Sequence, residues 1–473
     1  MIIYSNRTSA CNPFQRLKAL AAADPLALLL ELGALESAIA DQCPPLLPPF
    51  AAALDKAASA WLSHTCPPCV SHLLSLPLPA TLRMSRPEGF CDYAVTPEAY
   101  ACAAAGFWRA HQPEEAVVVG IRSIGTTLSA VVAAVLRRQY CRVSRYTVRP
   151  TGHPYHREVS LPADAASPRG HGWHLVVDEG PGRSGSSFAA VANALHRAGV
   201  TAERIVLLPA NSPDAGALCS EEGRQAWRTY NRIPASYTVP PFLRDAAEYP
   251  QGRRRKYIRH DGPIRFVARF AGVGPYGLAK LDLAQQLAAE SFVPTPRCLH
   301  DGFLLSDWID APSDPPVTAG FLDHAARYLA FRAALPAPSA PGHSFDDLLE
   351  LVEVNYTEAG LAPPSLAGAR ALIEGQPPSC VDGRLGGGKW LYNGHGYVKL
   401  DALDHYDDHF YPGPQDIAYD LAGLIEEFDL DTRAAAHLLH AFAQHYPGDH
   451  VGERVAFFQP VYRAVQMGYE AMQ

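Results

Sequence analysis

The chain has 473 residues, 48% of them hydrophobic and 10% aromatic, with 40 basic and 48 acidic side chains for a net charge of −8. The apolar content excludes a disordered protein, the length suits two or three hydrophobic cores, and the negative balance argues against a nucleic-acid partner. Residues 1 to about 80 read as Ala- and Leu-rich helical runs broken by Pro44, Pro45, Pro48 and Pro49. The most apolar stretch, 26–40, contains Glu31 and Glu36 and is too short to span a bilayer, so no membrane partner is expected. The first residues lack a cationic segment followed by an apolar run, and the ten cysteines are too sparse for a disulfide scaffold, which predicts a cytoplasmic protein.

From about 84 to 215, short β-rich runs alternate with helical ones, the pattern of βαβ units in a parallel sheet. Strands are expected at 116–119, 143–148, 174–177 and 204–208, and helices at 127–138 and 188–198, the second stopped by Gly199. A Pro-, Arg- and polar-rich connection follows to about 260 and includes the run Arg253-Arg254-Arg255-Lys256, read as a solvated face. Beyond it, β-like runs at 264–270 and 302–308 lead into a mostly helical remainder with a loop-rich segment at 380–415. The expected division is a helical region 1–80, an α/β domain 81–215, a linker 216–250 and an α+β domain 251–473.

The first candidate site follows the third strand. His174-Leu175-Val176-Val177 runs into Asp178-Glu179, then Gly180-Pro181-Gly182-Arg183-Ser184-Gly185-Ser186-Ser187, and at once a helix. Ligands of open α/β sheets bind at the carboxyl ends of strands, and a Gly/Ser loop entering a helix offers backbone N–H groups to an anion. The acids suit sugar hydroxyls or a magnesium ion. This stretch resembles the phosphoribosyl-pyrophosphate (PRPP) signature of type I phosphoribosyltransferases. It departs in having Glu179 where Asp is usual, and a turn one residue longer that contains Arg183.

The upstream strand ends in Arg122-Ser123-Ile124-Gly125, where that family places its pyrophosphate loop. The basic, turn-rich stretch from Arg149 to Glu158 occupies the position of its mobile hood. The resemblance implies a Rossmann-like sheet and transfer of phosphoribose from PRPP to a small-molecule nitrogen acceptor, such as a nucleobase. It also implies magnesium at Asp178 and Glu179, catalytic roles for these two with Arg149 and Arg157, and PRPP phosphate contacts from Arg183 through Ser187. Phe90 and Tyr93 are candidates for stacking on the acceptor or for core packing.

The second candidate site lies in 251–473. Asp382-Gly383-Arg384-Leu385-Gly386-Gly387-Gly388-Lys389, a strand ending at Leu400, Asp401, and then Gly413-Pro414 through Asp420-Leu421-Ala422 resemble the aminoglycoside-phosphotransferase branch of protein-kinase-like folds. On that family's spacing, Asp382 replaces a His, Arg384 the catalytic-base Asp and Lys389 a metal-binding Asn. The metal-binding Asp survives as Asp401, and Arg269 stands at the N-lobe lysine. A guanidinium cannot accept a hydroxyl proton and a lysine cannot bind a cation, so the resemblance implies a non-catalytic, kinase-like cleft. A PRPP-sensing regulator without turnover and a bifunctional transferase-kinase are the alternatives, and a homo-oligomer is compatible with either. His64, Cys66, Cys69 and His72 have ligand types at close spacing, as do Asp404, His405, Asp407, Asp408 and His409, with a loop or a solvated face as the ordinary explanation for each.

Overall fold

The computed structural model describes residues 1–4, 8–162, 172–249, 255–337, 342–406 and 410–471, so Arg253, Arg254, Asp407, Asp408 and His409 lie outside the described residues. The N-terminal region holds strand β1 (Thr8–Cys11), helices α1 (Pro13–Ala19), α2 (Pro25–Gln42) and α3 (Leu47–Ser63), and strand β2 (Leu82–Ser85), which pairs with β1. Pro25 at the first helical position and the Asp24 carboxylate, 2.9 Å from the N–H groups of Leu26 and Ala27, start α2.

The α/β part begins with helices α4 (Glu88–Asp92) and α5 (Pro97–His111). It continues as β3 (Glu115–Ile121), α6 (Ile124–Arg138), β4 (Arg142–Val148), the hairpin β5 (Thr151–His153) and β6 (His156–Glu158), β7 (Trp173–Val177), α7 (Ser186–Arg197), β8 (Ile205–Leu208), α8 (Glu221–Thr229) and β9 (Asn231–Arg232). Five strands form one all-parallel sheet in the order β4-β3-β7-β8-β9. The stretch expected as a linker after 215 therefore folds back: Trp227 and Tyr230 bury against α7, and β9 adds the last strand. Its polar composition reflects the exposed face of α8, whose Gly223, Ala226 and Trp227 alone are buried.

Both sheet faces are covered, which is why the strands read as unbroken apolar runs. Val117, Val119, Ile121, Val176, Ile205 and Leu207 pack toward α7 and α8, while Ala116, Val118, Leu175, Val177, Val206 and Leu208 pack on the other side with α5 and α6. The N-terminal helices lie on α6. A Cβ at Gly33 would stand 1.8 Å from Thr127 Oγ1, so α2 touches α6 at backbone distance. Arg145 of edge strand β4 fixes the arrangement with two 2.8 Å bonds to buried Glu36 and one of 2.6 Å to Asp55.

A second, antiparallel sheet is built from β10 (Ala247–Glu248), β11 (Lys256–Asp261), β12 (Ile264–Phe270), β13 (Pro296–His300) and β14 (Phe303–Asp307), in the order β10-β11-β12-β14-β13. Helix α9 (Pro275–Ala289) joins β12 to β13. Tyr257, Ala268, Phe270, Phe303 and Leu305 of this sheet belong to the same apolar core as Val118, Leu175 and Val206 of the parallel sheet, bridged by Phe90, Ala235 and Leu243.

The remainder comprises α10 (Ala319–Ala334), α11 (Phe345–Glu358), α12 (Arg370–Ile373), the hairpin β15 (Trp390–Tyr392) and β16 (Tyr397–Lys399), and α13 (Ala418–Glu427), α14 (Thr432–His445) and α15 (Gly452–Glu470) around a separate core. Fully buried Arg332 donates to the carbonyls of Cys380, Val381 and Ala402 at 2.6–2.8 Å, and so shapes the loop between α12 and β15. The first residues close on this part: Ile2 N–H donates to Asn355 Oδ1 at 2.6 Å, and Asn355 Nδ2 donates to the carbonyls of Ile2 (2.9 Å) and Ala464 (2.8 Å). No helix among the described residues is long and apolar enough to cross a membrane.

Candidate functional sites

In the parallel sheet the chain leaves β3 toward one edge and returns to β7 on its other side, so the loops after these neighbouring strands meet at their carboxyl ends, where such sheets bind ligands. The sequence provides for the contact with small residues: a Cβ at Gly125 would stand 2.5 Å from the Val177 carbonyl and 3.3 Å from Asp178 Oδ1. Ser123, at φ 113°, turns the chain into α6 in a conformation that costs a non-glycine residue energy.

The two acids feel this enclosure. Burial, reinforced by the charge of Glu179, raises the Asp178 carboxyl well above its ordinary range, against the opposing pull of Arg149. Burial also pushes Glu179 up to about 7; the Gly89 N–H opposes this and Asp92 adds to it. Glu179 leans toward α4, and its Oε2 is buried without a hydrogen-bond partner among the described residues.

The arginine and serine donors expected to hold phosphate are met by the chain's own oxygens. Arg122 Nη1 lies 2.9 Å from Asp41 Oδ1, and Arg149 Nε and Nη2 lie 3.1 and 2.5 Å from Asp41 Oδ2. Ser37, one turn before Asp41 on α2, accepts from the Ser123 N–H at 3.2 Å and from Arg149 at 3.4 Å. Only about 20 Å3 stays open between α2 and this loop. On the other loop, Gly185 (φ 70°) precedes α7, Ser184 Oγ lies 2.9 Å from Ser186 Oγ, and Ser186 Oγ donates at 2.6 Å to the Pro154 carbonyl at the tip of the β5–β6 hairpin. The expected hood is thus a hairpin seated on the expected phosphate loop. Arg157 bonds the Pro150 carbonyl at 3.4 Å, and Arg183 is exposed.

The second site is a cleft of about 540 Å3 between the antiparallel sheet and the β15–β16 hairpin. Its walls are apolar, with Ile258, Val267, Leu304, Trp308, Leu391 and Leu403, and its polar end holds Lys256, Arg269, Lys389 and Asp401. Asp401 Oδ1 lies 2.9 Å from Arg269 Nη1 and 3.5 Å from Lys256 Nζ, and Oδ2 lies 3.4 Å from Lys389 Nζ. Burial opposes its charge, but Lys256, Arg269, His405 and Lys389 outweigh burial and hold Asp401 well below the usual carboxylate range.

No family model matches the chain, and no curated protein matches it. Among solved structures it is similar to choline kinase LicA from Streptococcus pneumoniae (14% identity over 49% of this chain and 88% of that one, TM-score 0.32). It is also similar to a choline/ethanolamine kinase family protein from Mesorhizobium loti (14%, 50% and 83%, TM-score 0.35) and to macrolide 2'-phosphotransferase MphH from Brachybacterium faecium (15%, 48% and 86%, TM-score 0.33). At these scores and identities the likeness says nothing about chemistry.

Asp382 and Arg384, expected in the cleft, do not line it. Asp382 is buried beneath it, 3.1 Å from Lys399 Nζ and bonded by the Tyr328 hydroxyl, because the adjoining strand carries its counter-charge inward. Arg384 lies over the Tyr469 ring at 3.6 Å. Magnesium does not fit at Asp401, since cations flank both oxygens. At the strand end Asp178 supplies one carboxylate and Glu179 turns away, so the remaining donors of a divalent ion would have to come from the ligand. No group of three His, Cys, Asp or Glu side chains suited to a metal occurs among the described residues, Cys66 and Cys69 being exposed. Phe90 is core, whereas Tyr93 is partly exposed. Sequence reasoning missed Ser37 and Asp41, whose spacing of four puts them on one face of α2, and Lys280, a lysine on the apolar Leu283–Leu287 face of α9.

Proposed function

We propose that the chain transfers phosphoribose from PRPP to a nitrogen acceptor at the carboxyl end of the parallel sheet, releasing pyrophosphate. The observation that carries this reading is the occupation of two oxyanion positions beside Asp178 by the protein's own oxygens: Asp41 on Arg122 and Arg149, and the Pro154 carbonyl on Ser186. In this reading the 5-phosphate replaces the Pro154 carbonyl at the α7 N-terminus, and pyrophosphate displaces Asp41 from the two arginines. Asp178 then faces the ribose, where its carboxyl, ionised by the positive charge that develops as the bond to pyrophosphate breaks, stabilises that charge. The hairpin reseats over the ligand and excludes water. The test is Asp178→Asn: PRPP affinity measured by calorimetry and pyrophosphate release with a panel of nucleobases should both fall while the circular dichroism spectrum is kept. Unchanged affinity would overturn the assignment, and PRPP binding with no release on any acceptor would favour the sensor.

A second reading concerns the cleft, and three cations around one carboxylate favour it. It binds a phosphate-bearing ligand without transferring a phosphoryl group, because Arg384, at the expected base position, lies outside the cleft over Tyr469 and Asp401 is already paired with three cations. ATP turnover by the full chain, wild type against Asp401→Asn, checks this; transfer that vanishes in the variant would contradict it.

A further inference from the structure

The two sites are joined by a buried row of alternating charges. Arg269 at the cleft is shared between Asp401 (2.9 Å) and Asp404. Asp404 is shared with Lys280 of α9 at 2.9 Å, and Lys280 reaches Asp92 of α4 at 3.2 Å. The side chains of Asp92 and Asp404 are 1% exposed and that of Lys280 5%. Helix α4 also carries Gly89, against which Glu179 of the other site rests: a Cβ there would stand 2.2 Å from Glu179 Oε2. Lys280 further donates to the Cys91 carbonyl at 3.1 Å, so it holds α4 by backbone as well as by charge.

We propose that Lys280 is a positioning residue for the strand-end site, set through Arg269 and Asp404 by an anion in the cleft. The inference rests on the two ligand sites proposed above. Arg269 and Lys280 are each shared between two carboxylates, which is what such a row needs in order to switch. A phosphate that draws Arg269 toward itself leaves Asp404 to pull on Lys280. The hold of Lys280 on Asp92 and on the α4 backbone then slackens, and α4 shifts beneath Glu179. The side chains of Asp92, Lys280 and Asp404 are shielded from solvent, so each exchange is felt by the next pair. The purely structural alternative is that the row only glues the two sheets together.

The experiment measures PRPP affinity by calorimetry with and without saturating ADP. Loss of ADP binding in Lys389→Ala marks the cleft as the ADP site. The expected result is a change in PRPP affinity of about fivefold or more on adding ADP, matched by the reciprocal change in ADP affinity. In Lys280→Met both ligands should still bind but independently, and Lys280→Arg should restore the coupling. Asp404→Asn cuts the same row if Lys280→Met does not fold. Both ligands binding independently in the wild type, or coupling that survives Lys280→Met, would overturn the proposal. Absence of PRPP or ADP binding in the wild type would instead overturn the site assignments, and this inference with them.

Discussion

Glu179 shows what the strand-end environment does to a single carboxyl. Burial, opposed by the Gly89 N–H and reinforced by Asp92, raises it from 4.5 to about 7, so the folded chain keeps a proton that the unfolded chain releases. The sign follows: its contribution to stability is complete below about pH 4.5 and is lost as the pH rises through about 7. Glu179→Gln should flatten the fall of Tm between pH 5 and 7 in thermal melts, and an unchanged slope would place the carboxyl in water. Asp178, Glu179, Arg269 and Asp401 stand out in the sequence because each lies in or just after a recognisable strand. Their partners do not. Asp41, Asp92 and Lys280 acquire meaning only through contacts across long sequence separations, Asp404 reads only as part of an acidic loop and not as a partner of Lys280, and nothing local in the sequence distinguishes Asp382, bound to Lys399 in the core, from a cleft residue.

At the scale of elements, the parallel strands and helices α6 and α7 were readable because strands buried on both faces leave continuous apolar runs. The boundaries moved where loop geometry set them: α6 starts at Ile124 rather than 127, right after the strained Ser123. Strand β9, two residues long and polar, carries no such signal. Close helix contact leads to a prediction at Gly33, where even a Cβ collides with Thr127. Gly33→Val should cost about 1–3 kcal/mol by overpacking, read in urea melts. It should also loosen the clasp of Asp41 on Arg149 by tilting α2, visible as faster amide exchange at residues 147–153. Helix α13 offers a second case. Asp420 accepts the N–H groups of Asp382 (2.6 Å) and Gly383 (2.9 Å). Asp420→Ala would orphan two buried donors at about 1–3 kcal/mol each, so a Tm within error of wild type would be incompatible with this role.

Across the whole molecule, the two sheets share one core rather than meeting across a wet interface. Phe303 sits at its centre on the antiparallel side, with ring contacts to Tyr237, Phe242, Tyr257 and Phe270. Phe303→Ala should therefore cost about 3–5 kcal/mol and lower amide protection in β3 and β7 as well as in β12. Protection lost in the antiparallel sheet alone would mean that the sheets unfold independently. The sequence's change of texture near 215–260 did not reveal this sharing, since composition reports exposure along the chain and not which buried faces meet.

The clasp of Asn355 on Ile2 has a consequence in time. Its two residues are separated by 353 positions, so a ribosome adding about 5–20 residues per second makes the second roughly 20–70 s after the first. Ala464, the other carbonyl that Asn355 holds, follows later still. Throughout that interval the contact between Ile2 and Asn355 cannot form, although the residues of the parallel sheet are made within it. The segment around Ile2 therefore reaches its final contacts only when α11 and α15 have come together around it.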